Sequence, residues 1–183
     1  MASLEELNID LLTEETPAIS KNVGNYLSEA AVHCLNKNNH HTGTVLEVSG
    51  TIFKKFSVRW TEAIDESIER SWGDSREAVE YGATALAFLL LRKLTNYTII
   101  ERSFQGTGFD YWLSTTPFDD SQPPFHQRKA KLEVSGILSE RLGNSIERRL
   151  KEKVKQIEMS DSPLPAIIVV VEFGVPKAKF ITR

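Results

Sequence analysis

Residues 166–173 read Ala-Ile-Ile-Val-Val-Val-Glu-Phe, a continuous apolar strand introduced by Pro163-Leu164-Pro165. A strand that is apolar on both faces belongs inside a sheet with helices on either side, not in a sheet with one wet face. This segment therefore points to an α/β arrangement. The run 83–91 points the same way. It closes a helix predicted over 75–95, capped by Asp74, and it is apolar around most of its circumference. Such a helix belongs at the centre of a fold, packed on the sheet through Leu86, Leu89 and Leu90. Its apolar stretch, Ala83 to Leu91, falls far short of the roughly 20 residues needed to cross a bilayer, so no membrane partner is expected.

The remaining elements follow from periodicity and punctuation. Residues 1–17 read as a loosely held acidic arm, with Leu4, Leu7, Leu11 and Leu12 able to dock a turn or two before Pro17. Ser20 caps an amphipathic helix over 20–37 that carries Val23, Leu27, Ala30, Ala31, Cys34 and Leu35. Residues 43–49 and 52–60 form a hairpin. Thr61 caps a short helix to Trp72, with Ile64 and Ile68 inside and Glu62, Asp65, Glu66 and Glu69 outside. Strands are predicted at 97–104, 109–113, 129–138 and 177–182, an excursion loop at 114–127, and a charged helix at about 140–158. The third of those strands turns Leu132 and Val134 inward, with Lys131, Glu133 and Ser135 on the opposite face.

The chain of 183 residues fits one domain over 18–183, preceded by the arm. With 40% hydrophobic and 26% charged residues it is globular in composition, not disordered. Residues 1–20 hold five acids and no Lys or Arg, which predicts no secretory leader. A lone Cys34 excludes an internal disulfide and fits a reducing, cytoplasmic setting. Cys34, His40 and His41 do not amount to the four ligands of a structural zinc site. The net charge of -3 does not advertise nucleic-acid binding, but a local patch suffices for that. Residues 126–158 supply one, with nine cations against five acids. A solvated helix with Glu–Lys pairs is the plainer reading of the same stretch.

From residue 75 the order is helix, strand, strand, strand, helix, strand, and three acids fall within it. Glu80 is on the first helix. Asp110 opens the second strand in Gly106-Thr107-Gly108-Phe109-Asp110-Tyr111-Trp112. Glu133 lies in the third, in Lys131-Leu132-Glu133-Val134-Ser135. This pattern resembles the PD-(D/E)XK restriction-endonuclease-like superfamily over about 75–173. The helix and hairpin before it would be an added layer. The resemblance implies a restriction-endonuclease-like central mixed sheet flanked by helices. It also implies a metal-dependent nuclease, or a nuclease-derived DNA-binding protein of defence or repair type. Asp110, Glu133 and the helix acid Glu80 would hold Mg²⁺ or Mn²⁺. Adjacent strands put two carboxylates side by side, which suits an ion that keeps its other positions for water and phosphate.

The sequence departs from that family at one point. The lysine two residues after the strand acid is Ser135 here. Lys131, two residues before Glu133 on the same face and roughly 7 Å along the strand, is expected to take its place. Taken singly, each residue has a structural reading. Asp110 can be a turn residue beside Gly108, Glu133 and Lys131 an ion-pairing surface, and Glu80 helix surface. The second functional expectation is therefore a non-catalytic module that keeps the fold and binds a protein partner.

Overall fold

The computed structural model describes residues 4–14, 16–61 and 63–183. Glu62, expected on the outer face of its helix, lies outside them. The protein is a mixed α/β structure built on one eight-stranded sheet. In chain order the strands are β1 (Glu5–Asn8), β2 (Val45–Gly50), β3 (Lys54–Arg59), β4 (Tyr97–Arg102), β5 (Tyr111–Thr115), β6 (Ala130–Ile137), β7 (Ala166–Glu172) and β8 (Lys177–Thr182). The helices are α1 (Lys21–Lys37), α2 (Glu66–Ser71), α3 (Ser75–Leu94) and α4 (Ile146–Glu158). Across the sheet the order is β1-β3-β2-β8-β7-β6-β5-β4. β4, β5 and β6 form an antiparallel meander, α4 crosses over, and β7 returns parallel to β6.

β7 lies between β6 and β8 with every residue buried, as its two apolar faces require. α1 and α3 cover one face of the sheet, where Leu132, Val134, Val169 and Val171 join the larger core. α4 covers the other face over β6, β7 and β8, with Ile137, Ile146, Ile157, Ile168 and Val170 packed together. Asp74 caps α3 by accepting from Arg76 N–H at 2.9 Å, and Arg92 and Lys93 sit in the last turn against the helix dipole. α3 comes very close to β6 at Gly136. A Cβ there would lie 2.5 Å from the Val79 carbonyl oxygen and 2.9 Å from Ala83 Cβ, so only glycine allows this approach.

Two expectations change. The arm is not loosely held: Glu5–Asn8 pairs in parallel with β3 at the sheet edge, and a 3-10 helix follows at Ile9–Thr13. Leu7, Ile9 and Leu12 are fully buried, which is what fixes the segment. The helix expected from Thr61 starts later, because Asp65 takes the capping role and accepts from the N–H groups of Ser67 and Ile68.

Candidate functional site: a buried carboxylate pair at the end of the sheet

Asp110 immediately precedes β5, and its side chain stands against that of Glu133 on β6. The β5–β6 ladder ends at Tyr111 opposite Leu132, and Asp110 N–H also donates to the Leu132 carbonyl at 2.9 Å, which holds Asp110 at the end of the ladder. Glu133 lies on the α4 side of the sheet, where Lys153 and Gln156 reach it. Asp110 Oδ2 accepts from Val134 N–H at 2.8 Å. Glu133 is 0% exposed. Its Oε1 accepts from Lys153 Nζ at 2.5 Å and from Gln156 Nε2 at 3.1 Å, while its Oε2 is buried with no hydrogen-bond partner. Gln156 Nε2 also donates to the Gly108 carbonyl at 3.1 Å, tying the turn before Asp110 to α4. Gly108, at φ +83°, lets that turn press against Ser160.

Burial first, and then the Asp110 charge, push the Glu133 carboxyl up to about 7 despite Lys153. Burial also raises Asp110, which Val134 N–H and Lys153 partly offset. The two carboxyls titrate as one unit, and their mutual repulsion and burial favour a shared proton over two full charges. An unpartnered buried carboxylate oxygen costs free energy that a cation would recover. The donor set is two carboxylates on neighbouring strands, which fits Mg²⁺, an ion usually held by one or two carboxylates with water and phosphate completing its shell.

Asp110 and Lys153 line a cleft of about 820 Å³ between the first half of α3, the ends of β5 and β6, and the segment leading into α4, while Glu133 is fully buried and takes no part in its lining. Glu80 lines this cleft but does not join the pair. Among the described residues no three His, Cys, Asp or Glu side chains gather as a metal-ligand group. Val79 and Ala83 are the α3 residues aimed at Gly136, and Glu80, one position round the helix, is left exposed on the wall. The wall itself is pinned by Glu172, which accepts from the N–H groups of Gly174, Val175 and Glu140 at 2.7, 2.9 and 3.3 Å. Glu140 in turn accepts from Ile146 N–H at 2.7 Å, fixing the start of α4.

Lys131 is engaged away from the carboxylates. It shares the face of Glu133 and is buried, but Nζ donates to Ser160 Oγ at 2.8 Å and to the Ser162 carbonyl at 2.7 Å, at the C-terminal end of α4. There it meets the negative end of the helix dipole, so its position has a structural reason. The cation at Glu133 is Lys153. A sequence signal for it exists. Ile146 and Ile157, buried, with Leu150 and Val154, partly buried, form the inward stripe of α4, and Lys153 falls on that stripe where an apolar residue is the norm. Ser135 stays uncharged beside the pair on the floor of the cleft. Zinc finds no support at the three residues considered for it. Cys34 is buried with its thiol pushed up to about 12, and His40 Nε2 is engaged by the carbonyls of Phe173 and Gly174. No helix among the described residues is long and apolar enough to cross a membrane. Compared with known proteins, the chain matches no protein-family model, no curated protein and no solved structure.

Proposed function

We propose that this protein is a Mg²⁺- or Mn²⁺-dependent phosphodiester hydrolase acting on DNA, built on a restriction-endonuclease-like core over about 75–173. The observation that carries this reading is the juxtaposition of Asp110 and Glu133 across neighbouring strands with Lys153 Nζ 2.5 Å from Glu133 Oε1. The order α3, β4, β5, β6, α4, β7, with β6 and β7 parallel, agrees with that core.

Asp110 and Glu133 would hold the divalent ion, whose chemistry when bound would be polarisation of the phosphate and acidification of a water. Gln156 fixes the Glu133 rotamer through Oε1, leaving Oε2 free to ligate. The Lys153 ammonium stands beside the carboxylates, where it stabilises negative charge building on the phosphoryl oxygens. Lys153 thus replaces both Ser135 and Lys131 in the role that the resemblance assigns to a lysine.

The test is cleavage of single- and double-stranded DNA with Mg²⁺ or Mn²⁺. The parent protein is expected to cut, with Asp110→Asn and Glu133→Gln each slower by about 10²-fold or more. Absence of cutting on every substrate, by a folded protein with either ion, favours the alternative of a non-catalytic module. The Lys153–Glu133 ion pair would then be a structural contact between α4 and the sheet.

A further inference from the structure

Two turns border the cleft, and each carries the same pair of side-chain types. At the end of β4, Arg102 lines the cleft, and Phe104 follows it in the turn to β5. Beyond β6, Arg141 lines the cleft, and Leu142 follows it in the turn to α4. Phe104 is 75% exposed and Leu142 105%. Among the described residues neither guanidinium has a carboxylate within salt-bridge distance or a side-chain hydrogen bond, in a protein where most other arginines are paired.

Neither turn is slack. Thr107 Oγ1 bonds the Phe104 carbonyl at 3.0 Å and Ser103 Oγ at 2.9 Å. Arg141 and Asn144 bond each other through both backbone groups at 3.2 and 2.9 Å. Single exposed apolar side chains are common, and Phe53 and Val175 are others here; what sets Phe104 and Leu142 apart is that each follows an unpaired arginine on the rim of one cleft. Beside an unpaired guanidinium and above a phosphate-compatible floor, such a side chain resembles a nucleic-acid contact, because bases offer apolar faces and the backbone offers charge.

We propose that these two turns hold a single-stranded nucleic acid, with Arg102 and Arg141 on its phosphates and Phe104 and Leu142 packed on unpaired bases, so that the strand runs over Asp110 and Glu133. This rests on the reading of the carboxylate pair as a phosphodiester-cutting site and adds the substrate class. Two features favour an unpaired strand over a duplex. Stacking on Phe104 requires a base whose face is free. The cleft, about 820 Å³ and lined by Asp110, has the size of a small-ligand site and admits a strand segment, not the body of a duplex.

The experiment is fluorescence anisotropy with a labelled DNA oligonucleotide, single-stranded or annealed to its complement. Mg²⁺ is present, and an Asp110→Asn background keeps the DNA uncut. The single strand is expected to bind at least about 10-fold more tightly than the duplex. Arg102→Ala and Arg141→Ala should each weaken it by about 10-fold and reduce the slope of log K against log salt by about 0.7. Phe104→Ala should weaken it by about 10-fold with the salt slope unchanged. Arg70→Ala, on the exposed face of α2, should bind as the background does. All four positions are exposed, so these variants keep the fold. Duplex binding as tight as single-strand binding overturns the proposal, as does unchanged binding in Arg102→Ala, Arg141→Ala and Phe104→Ala. The cutting reading is judged separately, by Mg²⁺-dependent cleavage with the parent protein. Strand binding without cleavage leaves the cleft assignment standing and removes the hydrolase. Cleavage without these binding effects does the reverse.

Discussion

Two lysines reach into the layer between β6 and α4, and only one of them meets a carboxylate. That difference assigns their effects. Lys153→Met should lower Mg²⁺-dependent cleavage by about 10²-fold or more, because a thioether cannot stabilise phosphoryl charge. Lys131→Met should leave the rate within a few-fold of the parent and show itself in thermal stability, through the carbonyl and hydroxyl it no longer serves. Equal rate losses in the two variants would return the chemistry to Lys131. The carboxylates make a second prediction, for pH. Glu133 has a folded pKa of about 7, above the 4.5 usual for Glu. Between those values the folded protein keeps a proton that the unfolded chain has released. This contribution to stability is therefore fullest below about pH 4.5 and is lost as the pH rises through about 7. The span corresponds to something on the order of 3 kcal/mol. The melting temperature in EDTA should fall across that window, and Glu133→Gln should flatten the fall. A slope that persists in Glu133→Gln would place its origin elsewhere. Added Mg²⁺ should raise the melting temperature most at the alkaline end, where both carboxylates are charged.

At the scale of elements, the seam between α3 and β6 sets the shape of the cleft. Gly136→Ala would drive a methyl group into the Val79 carbonyl at 2.5 Å, and α3 has to move away to admit it. The expected loss is about 1–3 kcal/mol in urea unfolding, accompanied by weaker metal binding because the cleft wall shifts. An unchanged midpoint would mean that α3 is free to slide. α3 itself was legible from its Asp74 cap and its all-round apolar second half, and β7 from a run that no half-wet sheet would accept. Lys153 was harder to find because α4 is charged over most of its surface. Its cations look alike until Ile146, Leu150 and Ile157 are laid out as one stripe and Lys153 is found within it. Asp110 and Glu133 were visible as acids in adjacent strands. Their burial was not, since Lys131, Glu133 and Ser135 alternate with apolar residues as if that face were wet. Only the covering by α4 distinguishes the two cases. Glu80 illustrates the opposite limit: its helix was right, but one step of 100° about the axis separates a residue facing the sheet from one on the cleft wall.

Across the whole molecule, the sheet joins the N-terminal segment to the candidate site through five strand pairings from β1 to β6. The acids of residues 1–17 make this stretch read as a loosely held arm, and β1, at four residues, is too short to show an alternating pattern. The structure ties it down on two sides. Glu5 is ion-paired to Lys54 on β3 at 2.5 Å and to Lys93 on α3 at 3.4 Å, although such exposed pairs add little by themselves. The larger contribution is apolar: Leu7, Ile9 and Leu12 are fully buried in the same core as Phe56, Val58 and the α1–α3 interface. A segment that shares a core with the rest unfolds with the rest. Leu12→Ala should therefore cost about 2–5 kcal/mol of global stability and lower the single unfolding transition seen by both circular dichroism and tryptophan fluorescence. If 5–14 were a separable arm, the same substitution would leave that transition where it is and would only raise proteolysis within the first residues. Coincident movement of both probes makes the arm part of the domain. Because β1 and the candidate site then belong to one cooperative unit, the variant's metal-dependent cleavage at moderate temperature should stay near the parent's until the lowered melting point is approached, and fall together with the fold thereafter.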